Sequence, residues 1–278
     1  MLIIVVLSSG FNCRVFLISN RPTLVGKLLK LASIYAFVFS FQFAYAEKIT
    51  VVTEYLPPFQ QPNDDGSLGG YATEVLHALF ALTGDEADIQ VIPWARAYDK
   101  ALKEPNVLIY SIAHTKERAR LFHWIGALRY ENFYFWGLKT KFTQPFQALS
   151  ELKAISIAAP NGHNSDEYLT SQGFTNIYRV VKSDQQVQML YHNRVDMVLG
   201  NSLIIKSQAQ ALGYSPELLI KLMPAYELNN SLDIALSKSS DPNLVKRLQK
   251  AFRHLIGSGK LAEIKAKWSI ADDLAQVY

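Results

Sequence analysis

The sequence predicts an α/β protein of two lobes, each a mostly parallel sheet flanked by helices, joined by a two-strand hinge. Three observations lead there. Short β-branched runs alternate with helical patterns from residue 48 onward, the signature of βαβ units. After an abrupt polar stretch that begins near Lys139, a second series repeats the order of the first. The chain is 278 residues long and 49% hydrophobic with 19% charged residues, enough apolar material for one large domain or two modest ones.

The N-terminus reads as an address label. Lys27 and Lys30 precede the apolar run "LASIYAFVFSFQF", which ends in "AYA" before Glu47, so cleavage is expected after Ala46. The run is shorter than the roughly 20 residues a membrane span needs. Residues 1–26 exceed what such a signal requires and read as an N-terminal over-extension. Cys13 is the sole cysteine and falls in this segment, so the mature chain is expected to carry no thiol or disulfide. Arg14, Arg21, Lys27 and Lys30 account for the net charge of +4, leaving 24 basic against 24 acidic residues. A neutral body argues against a nucleic-acid partner.

In the first lobe, expected to begin at residue 47 and run to 138, "ITVVT" is a strand. "YATEVLHALFALTG" is a helix with Val75, Leu76, Leu79, Phe80 and Leu82 on one side and Gly84 as its stop. "IQVIPW", "ARAYDKALKE" and "NVLIYSIA" continue the alternation as strand, helix and strand. Thr115 then caps a new helix whose first turn carries Arg118, and "NFYFWGL" is a strand. The second lobe, 139–235, holds the strand "AISIAA", the loop "PNGHNS", a helix through "DEYLTSQ", the strand "IYRVV", the helix "DQQVQMLYHN" and the strand "VDMVLG". "SLDIALSK" returns to the first lobe, completed over 236–278 by two helices whose apolar stripe includes Leu248, Phe252, Leu255, Leu261 and Ile264. The chain thus crosses near 136–141 and comes back near 231–237.

Enzyme signatures are absent from the sequence: there is no nucleophile elbow, no phosphate loop and no pair of histidines at metal spacing. No cofactor or metal is expected. Arg118 stands out because the open edge of an α/β sheet is where ligands bind, and a guanidinium there offers a planar fork that matches a carboxylate. The other reading of Arg118 is a cation paired to a nearby acid. Phe122 and Trp124 anchor the segment that bears it, while among Phe133, Tyr134, Phe135 and Trp136 the last is the one expected to reach the cleft.

The order "TEYLPPF", "DGSLGGYATEVL", "IPWARAYDKAL", "NVLIYSIAHTKERARLFHW" and "GKLAEIKAKW" resembles the type II periplasmic solute-binding proteins of the amino-acid-binding family, across residues 47–278. The resemblance implies that Arg118 holds a ligand carboxylate, that Ser111 touches ligand from the same loop, and that Tyr55 and Trp94 form aromatic walls. His163, Asn164 and Ser165, at a helix start, are implied as the opposite jaw. Asn201 stands where the family carries an ammonium-binding aspartate, so another acid such as Glu54 must pair that charge, or the ligand is not a free α-amino acid. Ala113 and Asn106 also depart from the family's pattern. The implied partners are a small carboxylate ligand and an inner-membrane ABC permease, with a monomeric chain in the periplasm. Two alternatives stay open: a sensory subunit for a signalling receptor, and a dehydratase-like enzyme using Glu54, Arg118 and His163.

Overall fold

A computed structural model describes residues 48–272. The expected signal segment, with Cys13, lies outside the described residues. The elements run in the order β1 (Lys48–Thr53), β2 (Gln61–Pro62), β3 (Leu68–Gly69), α1 (Tyr71–Thr83), β4 (Glu86–Val91), α2 (Trp94–Lys103), β5 (Val107–Ala113) and β6 (Phe122–Glu131). There follow β7 (Phe133–Leu138), α3 (Leu149–Leu152), β8 (Ile157–Pro160), α4 (Asn164–Ser171), β9 (Ile177–Val180), α5 (Gln185–Tyr191), β10 (Met197–Asn201) and α6 (Ser202–Ala211). β11 (Leu219–Pro224), β12 (Asn230–Ser237), α7 (Pro242–Gly257) and α8 (Lys260–Lys267) complete the described chain.

Two sheets form, in the orders β4-β1-β5-β12-β6 and β11-β7-β10-β8-β9. In each, a parallel group (β4, β1, β5 and β10, β8, β9) is extended by antiparallel strands. The sheets are therefore more mixed than the sequence reading expected, because the strands that carry the chain between lobes enter against the parallel direction. β7 belongs to the second sheet and β12 to the first. The expected boundaries at 138 and 235 accordingly move to Asn132 and Asn229. An aromatic run such as "FYFWGL" looks the same on either side of a crossing, so sequence alone misplaced it. α6 and β11 were not anticipated: "SLIIKSQAQALGYSPELLIKLMP" has no composition break to announce them.

Both faces of both sheets are covered, which explains continuous apolar runs in place of alternation. Val51 joins the core under α1, α7 and α8, while the next residue, Val52, joins the one under α2. In the second sheet Phe135, Ile157 and Met197 face one core, and Trp136, Ala158 and Val198 the other. Successive side chains leave a strand on opposite faces, so each strand ties two helical layers together. α1 ends as expected at Gly84, whose φ of 73° places it in the left-handed region that only glycine adopts freely. At Gly126 in β6 an added Cβ would meet the Phe252 ring at 2.1 Å, so the strand admits α7 closely only because the side chain is missing.

Candidate functional site

The parallel strands of both sheets aim their C-terminal ends at one gap. From the first lobe come the residues after β1, β4 and β5; from the second, those after β8, β9 and β10. Ligands of open α/β sheets bind at such edges. Among the residues lining a small cavity of about 50 Å³ here are Trp94, Ser111, Arg118, His163, Asn164 and Asn201.

Arg118 lies in a run of turns between β5 and β6, not in the expected helix. Thr115 does cap that turn, its Oγ1 accepting from the Arg118 amide at 3.3 Å. Trp124 holds the loop: its indole nitrogen donates to the Ala119 carbonyl at 2.9 Å and its ring stacks on His114 at 3.7 Å. Phe122 packs on Trp124 and on Tyr98, and Tyr98 lies 4.7 Å beneath the guanidinium. Burial pushes the Tyr98 hydroxyl above its ordinary range, while the Arg118 charge pulls the other way. The aromatics thus fix the loop and furnish a π face under the cation.

Arg118 is 1% exposed, and its guanidinium reaches across the gap. Nη2 donates to the Gly162 carbonyl at 3.0 Å and to Glu167 Oε1 at 2.8 Å, both on the second lobe. Nε, on the same edge of the fork, is buried with no hydrogen-bond partner among the described residues. Arg118 thus lines the cavity, and an acid, Glu167, occupies half of its fork. Trp94 supports the same contact, its indole donating to Gly162 O at 3.0 Å.

Ser111 interrupts β5 with a φ of 58° where the pairing of β12 shifts register between Asp233 and Ile234. Such a bulge re-aims a side chain, and the left-handed backbone costs about 1 to 3 kcal/mol, a strain typical of ligand sites. Its hydroxyl accepts a hydrogen bond from Gln60. Ala113 also lines the cavity. Asn106 lies elsewhere, at the turn before β5, where its Oδ1 accepts from the Asp241 amide at 3.1 Å.

On the second lobe the expected jaw is differently built. His163 precedes α4 and makes no side-chain cap, and the Ser165 amide is taken by Asn164 Oδ1 at 3.0 Å. Asp166 and Glu167 occupy the first turn, so the helix dipole is already met by carboxylates and gives no vacant anion site. Asn164 lines the cavity, and its Nδ2 is buried without a hydrogen-bond partner among the described residues. His163 Nε2 approaches Glu54 Oε1 of the first lobe to 2.7 Å, a contact not aligned as a hydrogen bond.

Asn201 is a helix cap. Its Oδ1 accepts from the Ile204 amide at 2.8 Å, and its Nδ2 donates to Glu131 Oε1 at 2.9 Å, across the first crossing between lobes. Glu131 lines the cavity too and went unnoticed in the sequence, as did Glu167 and Gln186. One expectation needs correction. Trp136 packs in the core of the second lobe with its indole donating to Gly200 O at 2.9 Å, because its strand position faces the helix layer. Tyr55, expected as an aromatic wall, is 53% exposed and lines a second cavity together with Glu54.

Among the described residues no three His, Cys, Asp or Glu side chains cluster to hold a metal ion, and no helix is long and apolar enough to cross a membrane. A pair of five-stranded sheets with helices on both faces and a cavity at facing strand ends defines the two-lobed fold of periplasmic binding proteins. Solved structures agree. A histidine kinase sensor domain with similarity to periplasmic binding proteins shares 16% identity over 80% of this chain and 96% of its own, with a TM-score of 0.71. The arginine-, lysine-, histidine-binding protein ArtJ from Geobacillus stearothermophilus shares 17% over 82% and 97%, with a TM-score of 0.70. A putative L-cystine ABC transporter protein from Listeria monocytogenes shares 17% over 81% and 97%, with a TM-score of 0.69. No protein-family model and no curated protein matches the sequence.

Proposed function

We propose that this chain binds a small carboxylate-bearing solute, an amino acid or related compound, between its lobes, and that hinge closure presents the bound form to an inner-membrane ABC permease. It acts as a monomer in the periplasm after loss of its signal segment, and it is not an enzyme. One observation carries this reading: the buried Arg118 fork, underpinned by aromatics, spans the gap with Nε unpartnered. A carboxylate accepting from Nε and Nη2 together makes two charge-assisted bonds in fixed geometry. The hinge consists of the two adjacent crossings, where the Phe133 amide donates to Asn229 Oδ1 at 3.1 Å.

The experiment is a thermal-shift panel of amino acids, dipeptides and dicarboxylates. Ligand at about 100 times its dissociation constant stabilises by roughly 2.7 kcal/mol, several degrees for a chain of this size. Arg118→Ala abolishes the shift and keeps a cooperative unfolding transition. A variant that still responds would sink the assignment. The likeness to a kinase sensor domain favours one second reading, delivery of the closed form to a signalling receptor. Co-purification from membranes of a permease, or of a receptor, distinguishes the two.

A further inference from the structure

Behind the carboxylate site lies a larger space. The cavity at Arg118 encloses about 50 Å³, whereas its neighbour encloses about 380 Å³. Ligand pockets commonly span about 300 to 1,000 Å³, so the first holds a head group and the second holds the bulk of a molecule. The walls of the larger cavity come from both lobes, with Tyr55, Ile92 and Pro93 on one side and Val181, Ala211 and Leu212 on the other. Tyr55 is 53% and Val181 62% exposed, two large apolar side chains left open at one gap.

The partition between the cavities is polar. Ser183 lines both, its hydroxyl accepting from Gln208 Nε2 at 2.8 Å. Glu54 lines the larger cavity while its Oε1 lies 2.7 Å from His163 of the smaller. A buried carboxylate therefore stands where the two spaces meet. Gln208, which also lines the larger cavity, has its Oε1 buried without a hydrogen-bond partner among the described residues. An α-amino acid branches in the same pattern, with carboxylate, ammonium and side chain diverging from one carbon.

We propose that the ligand is an α-amino acid with a bulky apolar side chain: its carboxylate on Arg118, its ammonium on Glu54 in place of His163, and its side chain in the cavity between Tyr55 and Val181. The proposal rests on the carboxylate-binding reading above. It also answers the departure at Asn201, whose amide is engaged by Glu131 and Ile204 and leaves the cationic end of the ligand to another acid.

The test is calorimetry of the purified chain with L-alanine, L-leucine and L-phenylalanine, and with 3-phenylpropionate, which lacks the amine. Affinity rises along the amino-acid series by about fourfold per buried methylene. Phenylpropionate binds at least tenfold more weakly than phenylalanine. Val181→Asp, at an exposed position, flattens the series while the unliganded melting temperature stays the same. Equal affinity for alanine and phenylalanine, with Arg118→Ala losing both, overturns this inference alone. A series that keeps its slope in Val181→Asp also overturns it. If neither the amino acids nor phenylpropionate binds, the carboxylate reading falls and takes this one with it.

Discussion

Replacing Glu167 with glutamine tests how the Arg118 fork is shared. Glu167 Oε1 lies 2.8 Å from Nη2, with the arginine side chain 2% and the glutamate 44% exposed. A fully exposed pair contributes about 0 to 1 kcal/mol, and a fully buried one costs several to break. Half-exposure of the acid discounts the contact to about 1 kcal/mol. A ligand carboxylate that takes Nε and Nη2 must displace Glu167, so that amount opposes binding. Glu167→Gln keeps the shape and removes the charge, and the expected outcome is about a fivefold gain in affinity by calorimetry. The unliganded protein melts a few degrees lower, because the cross-lobe contact weakens. Weaker binding in Glu167→Gln would refute the reasoning and make Glu167 a ligand contact in its own right.

Burial raises the Tyr110 hydroxyl from an ordinary value of 10.0 to about 12. Between those values the native state holds a proton the unfolded chain has lost, so stability falls as pH rises through this window; Tyr110→Phe removes that part of the alkaline decline in urea titrations, at the cost of the hydrogen bond with Thr73. Asn201→Asp, which restores the aspartate of the resembled family, sets a second carboxylate 2.9 Å from Glu131 Oε1 in a buried position. The pair cannot both ionise cheaply, so the variant is destabilised by about 2 to 4 kcal/mol at neutral pH and recovers toward acid; an unchanged melting temperature at neutral pH would contradict the role given to Asn201.

The elements with strong periodicity were legible in the sequence, and so was the cation they position. α1 and its Gly84 stop, the capping of the Arg118 turn by Thr115, and the aromatic support from Phe122 and Trp124 all follow from residue type and spacing. What the sequence could not reveal depends on contacts between lobes. Glu167 lies 49 positions from Arg118, and in a helix start "SDEYL" it reads as an ordinary first-turn acid. Trp136 and Tyr134 differ by one strand repeat and share a face, yet one is core and the other half-buried, because the depth of a residue depends on which helix covers it. The boundary at Asn132 was hidden for the same reason: β6 and β7 run on with one residue between them, and only pairing shows that they serve different sheets.

The sharing of Arg118 also bears on where selectivity resides. Gly162 is held in a left-handed turn with φ of 73°, its amide donating to Asp166 Oδ2 at 3.0 Å, so its carbonyl keeps its place under Nη2 and the Trp94 indole. When a ligand carboxylate replaces that of Glu167, one acid is exchanged for another on the same cation, and the carbonyl contact survives. The exchange is close to neutral in free energy, and a ligand moves the lobes only through what distinguishes its bound and unbound states. On the proposed binding mode the head group sets orientation, and affinity comes from parts of the ligand that Glu167 cannot imitate: the group on Nε, the cationic end, and the apolar surface carried into the larger cavity.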